Sequence, residues 1–270
     1  MAAQVDTRRS VSEPAPGGPR RHSSRRGRRP RRRLRRSLRL VLASLLAVLA
    51  LTATAFAALL VATPSVSTAP QKVRALLATH HAPGLDGRVP SRVAAALLAT
   101  EDSRYRSDWA VDPRGALRAA WGFVTRDPNY GGATIEVQLA KMLYTPGRTD
   151  PLALAEQVAL AAKLDHDFSK NAILSMYLDA AYFGDGAYGV TAAALHYFGV
   201  AADQLSWGQA SLLAGLVQAP SRYDPHGHLA AALARRRHVL ARMVAVGAIT
   251  GPDEAAIAAE PLHPVVAFYG

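Results

Sequence analysis

The 270-residue chain has no cysteine. Disulfides and thiolate metal centres are therefore excluded, and the compartment is left open. It also lacks any convincing run of alternating β-branched and aromatic residues, and it has no internal repeat. Acidic charge is scarce at one end. Residues 1–39 carry 14 Arg against Asp6 and Glu13, a local net charge of +12, which is also the net charge of the whole chain. The rest holds 18 basic and 18 acidic groups. The pI of about 10.5 thus belongs to an arm, and the neutral body is not expected to bind nucleic acid.

That arm, 1–39, is rich in Arg, Pro, Gly and Ser and almost free of apolar residues. It cannot bury enough surface to offset its ordering entropy, so disorder is expected. Leu40–Ala62 then runs for 23 residues without a charge. At about 1.5 Å per residue such a helix crosses a hydrocarbon core of about 30 Å. A cleavable signal peptide is the competing reading, but the apolar run is long and the basic flank far exceeds a usual n-region. The arginines place the N-terminus in the cytoplasm and the body outside, and anionic lipid is the expected partner of the arm.

Residues 63–88 carry Pro64, Pro70, Pro83, Gly84 and Gly87 and read as a juxtamembrane linker, with a short helix at Gln71–Ala78. From Pro90 the pattern is helical almost throughout. Helical apolar spacing recurs at Arg114–Val124, Thr134–Tyr144, Leu152–Leu164, Lys170–Leu178, Gly189–Phe198, Ser206–Leu216 and Leu229–Val246. Ser91 and Ser169 are candidate N-caps, and Ser206 with Gln209 fits a capping box. The body, 89–262, is mainly α, and 263–270 is a tail.

Two places carry candidate chemistry. Val93–Ala99 is a small apolar helix that ends on Glu101 and Asp102. A carboxylate at the end of a buried helix is held towards its neutral form by desolvation, which suits a general base for an alcohol. The bland alternative is a solvated acidic pair, with Asp102 orienting nearby backbone. Gly131-Gly132-Ala133-Thr134 is a glycine turn opening a helix, and its free N–H groups suit an anion. Lys141 lies two turns along the same face. Together they form a diphosphate cradle or, on the bland reading, a loop-to-helix junction. His22, His80, His81, His226, His228 and His263 show no metal-ligand spacing, and His196 reads as a packing residue.

These stretches extend into a longer pattern. Glu101–Tyr105 resembles Glu-Asp-x-x-Phe, and Gly131–Lys141 resembles Gly-Gly-Ser-Thr-Ile-Thr-Gln-Gln-Leu-x-Lys. Lys170–Leu178 matches Lys-x-x-Ile-Leu-x-x-Tyr-Leu, and Arg236–Leu240 matches Arg-x-x-Val-Leu. In this order they resemble the peptidoglycan glycosyltransferase domain, glycosyltransferase family 51, found in monofunctional glycosyltransferases and at the front of class A penicillin-binding proteins. The resemblance implies a lysozyme-like helical domain with a smaller membrane-facing lobe, preceded by one transmembrane helix. It implies polymerisation of lipid II into glycan strands, with Glu101 as base and Asp102 beside it. Gly132, Thr134, Gln138 and Lys141 would bind substrate. Other cell-wall synthesis proteins are implied partners, and Mg or Mn an implied cation. No penicillin-binding serine domain follows, so transpeptidation is not expected.

The chain departs from that pattern. Asp108 stands where the family has His, and Ala133, Glu136 and Val137 replace Ser, Thr and Gln. The family's third motif, Arg-Lys-x-x-Glu, is largely gone. Without gaps its Glu falls on Gln157. A one-residue shift places it on Glu156, with Arg148 upstream as a basic group. The ungapped register fits Leu164-Asp165 and Phe168-Ser169 better. A degenerate donor-diphosphate site is therefore expected. The alternative is a scaffold or lipid-binding protein that kept the fold and lost turnover.

Overall fold

The computed structural model describes residues 29–108 and 133–262, with side chains from Ser37 onward. The readings at residues 1–28, Arg114–Val124, Gly131, Gly132 and 263–270 lie outside the described residues. The chain divides into two units, 1–53 and 54–270.

Helix α1 spans Arg29–Ala62, so helical backbone begins within the arginine-rich arm, upstream of Leu40. Arginine is a good helix former, and an established apolar helix extends readily into it because only nucleation is costly. Its Ser37–Ala62 portion is long and apolar enough to cross a membrane.

Among its described residues the regular structure of the second unit is helical, apart from one isolated bridge between Tyr182 and Tyr188. Its elements are α2 (Ala69–Thr79), α3 (Ser91–Glu101), α4 (Ile135–Tyr144), α5 (Pro151–Asp167), α6 (Lys170–Ala180), α7 (Val190–Phe198), α8 (Trp207–Leu216), α9 (Pro220–Tyr223), α10 (Pro225–Ala245) and α11 (Gly251–Ala259). Helix α8 is the hub of one half and packs on α3, α7, α10 and α11. Residues Ala210–Leu216 are buried on every side of it, as a helix without a polar face requires. Helix α6 plays the same part for α2, α4, α5 and α7. One core cluster runs through both groups.

Local signals set the helix starts. Thr134 accepts from the Val137 N–H, Ser169 from Ala172, and Ser206 and Gln209 close a capping box. Ser91 does not cap: Pro90 holds that position, and Ser91 is the first helical residue. Residues 63–88 are not merely a linker. Val66, Ala69, Val73 and Leu77 are buried in the core, and Asp179 Oδ1 accepts the Leu85 N–H at 3.0 Å. Pro70 misleads because proline is welcome in a first helical turn. Helices α9 and α11, unmarked by periodicity, also have prolines in their first turns.

Candidate active site

Helix α3 delivers Glu101 on its last residue, and the chain leaves the helix at Asp102. The preceding small residues allow a close approach to α8 and α10, which removes water from the helix end. The Glu101 side chain is 16 % exposed. Burial raises its pKa, opposed by a hydrogen bond from Gln138 and the charge of Arg235. Gln138 Nε2 donates to Glu101 Oε2 at 3.3 Å and to the Ala133 carbonyl at 3.1 Å. Tyr177, fully buried on α6, donates its hydroxyl to Gln138 Oε1 at 2.9 Å. Arg235 of α10 places Nη2 3.5 Å from Glu101 Oε1. Side chains of α4 and α10 thus meet the carboxylate carried by α3, and α6 fixes the Gln138 amide through Tyr177.

Asp102 faces a different group. Its Oδ2 accepts the Ile135 N–H at 3.3 Å, at the first turn of α4. Burial pushes its pKa up to about 6, against the lowering effect of that N–H. Thr134 sits at the same helix start as N-cap. Lys141 is exposed, one turn beyond Gln138 on the same face. Gln138, Thr134 and Asp102 therefore assemble with Glu101 around the α3–α4 junction.

Arg148 and Glu156 meet each other at the start of α5. Arg148 Nη1 lies 2.8 Å from Glu156 Oε2, and its Nε 3.2 Å from Asp150 Oδ2. Two carboxylates already balance this guanidinium. Gln157, one residue on, is 2 % exposed and donates to Thr145 Oγ1 at 2.8 Å. It is a buried bridge between α5 and the end of α4.

Other departures also have partners. Asp108 pairs with Arg104 at 2.8 Å. Glu136, 1 % exposed, is bound by Lys170 Nζ at 2.6 Å, and Lys170 also reaches Asp165 at 2.7 Å. Gln209, as its spacing from Ser206 predicts, closes the capping box of α8 by accepting the Ser206 N–H.

Sequence reasoning missed two features. Arg235 stands beside the motif residue Arg236, but its contact with Glu101 spans 134 residues. Asp185, His196 and His226 also come together, with ligand-capable atoms all within 4.8 Å of one another. Among the described residues this is the group that could hold a metal. Glu101 and Asp102 supply hard oxygen ligands of the kind Mg²⁺ and Mn²⁺ take, each already accepting one N–H, from Gln138 and Ile135 respectively.

Residues 71–244 match the family model described as transglycosylase. The chain is 40 % identical over 164 residues to penicillin-binding protein 1A of Aquifex aeolicus, covering 60 % of this chain and 23 % of that protein. Against penicillin-binding protein 1A of Escherichia coli the identity is 38 % over 164 residues, 60 % of this chain and 19 % of that one. It is 31 % identical over 191 residues to a putative transglycosylase of Cupriavidus necator, covering 70 % of this chain and 83 % of that one. The chain thus spans about a fifth of the length of these penicillin-binding proteins. The crystal structure of penicillin-binding protein 1A from Haemophilus influenzae aligns with a TM-score of 0.40 at 25 % identity, over 66 % of this chain and 17 % of that one.

Proposed function

Since the chain belongs to the transglycosylase family, we propose that it is a membrane-anchored peptidoglycan glycosyltransferase that extends glycan strands from lipid II, with Glu101 as its general base. The observation that carries this reading is the desolvated Glu101 carboxylate, gripped by Gln138 and Arg235 at the end of a buried helix. Burial raises its affinity for a proton, and the two donors keep enough of it ionised to accept one.

In the proposed step Glu101 takes the proton of the acceptor sugar hydroxyl. The freed oxygen forms a bond to the anomeric carbon of the donor, and the bond from that carbon to the lipid diphosphate breaks. The diphosphate leaves with its electron pair. Its negative charge falls to Lys141, the exposed cation on α4, since the N–H groups of Ile135 and Val137 at the helix start are already held by Asp102 and Thr134. Arg148 contributes little in this arrangement, because Asp150 and Glu156 already hold it. Asp102 positions the first turn of α4. Helix α1 anchors the chain in the bilayer with its arginine-rich end in the cytoplasm, and the body works outside.

The second reading, a scaffold with the family's fold and little turnover, draws support from Gln157. In the ungapped register it holds the second acidic position, and its side chain is committed to Thr145 inside the protein. The deciding experiment is polymerisation of labelled lipid II by the full-length protein in detergent, beside Glu101→Gln. We expect product from the parent chain and a loss of about a hundredfold or more in the variant. No product from a folded parent that still binds lipid II overturns the enzyme reading in favour of the scaffold.

A further inference from the structure

A second group of side chains lies away from the Glu101 network. The turn Gly184-Asp185-Gly186 has positive φ at all three residues, 95°, 45° and 75°. Asp185 is the one without a glycine's freedom there. The turn is closed by Phe183 N–H to the Ala187 carbonyl and by Ala187 N–H to the Gly184 carbonyl. It presents Asp185 Oδ2 to two imidazoles from two other elements. His196 of α7 brings Nε2 to 2.8 Å, and His226, in the first turn of α10, brings Nδ1 to 3.2 Å. Asp224 Oδ1 stands 3.8 Å from the same His226 nitrogen.

We propose that Asp185, His196 and His226 form a binding site for a single borderline divalent transition metal of the Zn²⁺ class. Two imidazoles and a carboxylate are the donor set that such ions take, whereas Mg²⁺ and Ca²⁺ prefer all-oxygen sets. Tetrahedral zinc with bonds of about 2.0–2.1 Å needs ligand atoms roughly 3.3 Å apart. The two measured separations from Asp185 lie within about half an ångström of that value, and all three donor atoms lie within 4.8 Å of one another, so an ion closes the set by drawing the two imidazole nitrogens towards it. The three side chains are 21 to 38 % exposed, which leaves an entry path and room for water as a further ligand. Tyr197 backs both rings, with centroids 4.8 Å from His196 and 5.4 Å from His226, and its hydroxyl donates to the Phe183 carbonyl beside the turn. Both imidazoles thus pack against one buried ring beside the turn. The ion would clamp the turn, α7 and the start of α10 together. It is independent of the base at Glu101.

The test uses the full-length protein without a polyhistidine tag, stripped with chelator in detergent. Zn²⁺ alone is titrated by calorimetry into the parent chain and into D185N and H226Q, each checked for folding by circular dichroism. The expected result is one saturable equivalent in the parent, weakened about a hundredfold or more in each variant. Mg²⁺ should not compete. Co²⁺ loaded into the parent should give the intense visible absorption of a tetrahedral site, a readout that needs no variant. Absent saturable heat, unchanged affinity in a folded variant, or displacement by Mg²⁺ would each overturn the proposal and leave an aspartate hydrogen-bonded to two histidines.

Discussion

Glu136 shows how a single departure from the family pattern is tolerated. A fully buried carboxylate is costly unless it is paired, and Lys170 supplies the pair at 2.6 Å. Lys170 also lies over the Tyr105 ring at 4.9 Å, and its carbonyl accepts the Tyr105 hydroxyl at 2.7 Å. Removing the lysine strands the charge. We expect K170M to lower stability by about 3 kcal/mol, read as a drop in melting temperature. The double change K170M with E136T should recover most of that loss, since the fully buried carboxylate is then gone and Asp165 remains partly open to water. A double variant as unstable as the single would show that Lys170 acts through packing alone.

At the scale of elements, Asp179 at the end of α6 holds the segment before α3 by accepting the Leu85 N–H. Burial pushes its pKa up to about 6 from the ordinary 3.8. The sign follows from linkage. The folded state binds the proton more tightly than the unfolded one, so this group's contribution to stability falls as pH rises through that interval. D179N keeps the accepting oxygen and removes the titration. Melting temperatures measured from about pH 4 to 7 should therefore show the parent losing ground to D179N across about pH 4–6. Parallel curves would refute this assignment. The same scale explains what can be read from the sequence. Caps at Thr134, Ser169 and Ser206 are legible because a cap is decided within four residues. Glu101, Gln138 and Thr134 come from motifs, and their mutual contacts agree with helical spacing. Arg235 and the group of Asp185, His196 and His226 are not legible. Their contacts span 134, 11 and 41 residues and depend on how α7 and α10 pack. Residues 63–88 look like a linker when breakers are counted and the spacing of Val66, Ala69, Val73 and Leu77 is not.

For the whole molecule the testable matter is orientation. Charge asymmetry about α1 predicts an N-terminus inside and a body outside. The absence of native cysteine makes this a clean measurement. A single cysteine placed at exposed Ala201 should react with a membrane-impermeant maleimide in intact cells, and one at Ser12 should react only after permeabilisation. The reverse pattern would put the body in the cytoplasm, away from any wall polymer, and would end the glycosyltransferase proposal.

The carboxamide of Gln138 has one further consequence. The Ala133 carbonyl can only accept, so the amide nitrogen must face it, and the side chain has no freedom to flip. That same nitrogen occupies Glu101 Oε2, while among the described residues Oε1 has the long contact to Arg235 alone. The two oxygens of one carboxylate are thereby made chemically unequal. Each oxygen keeps a further lone pair beyond its one donor, and a proton can be received there while both donors stay in place.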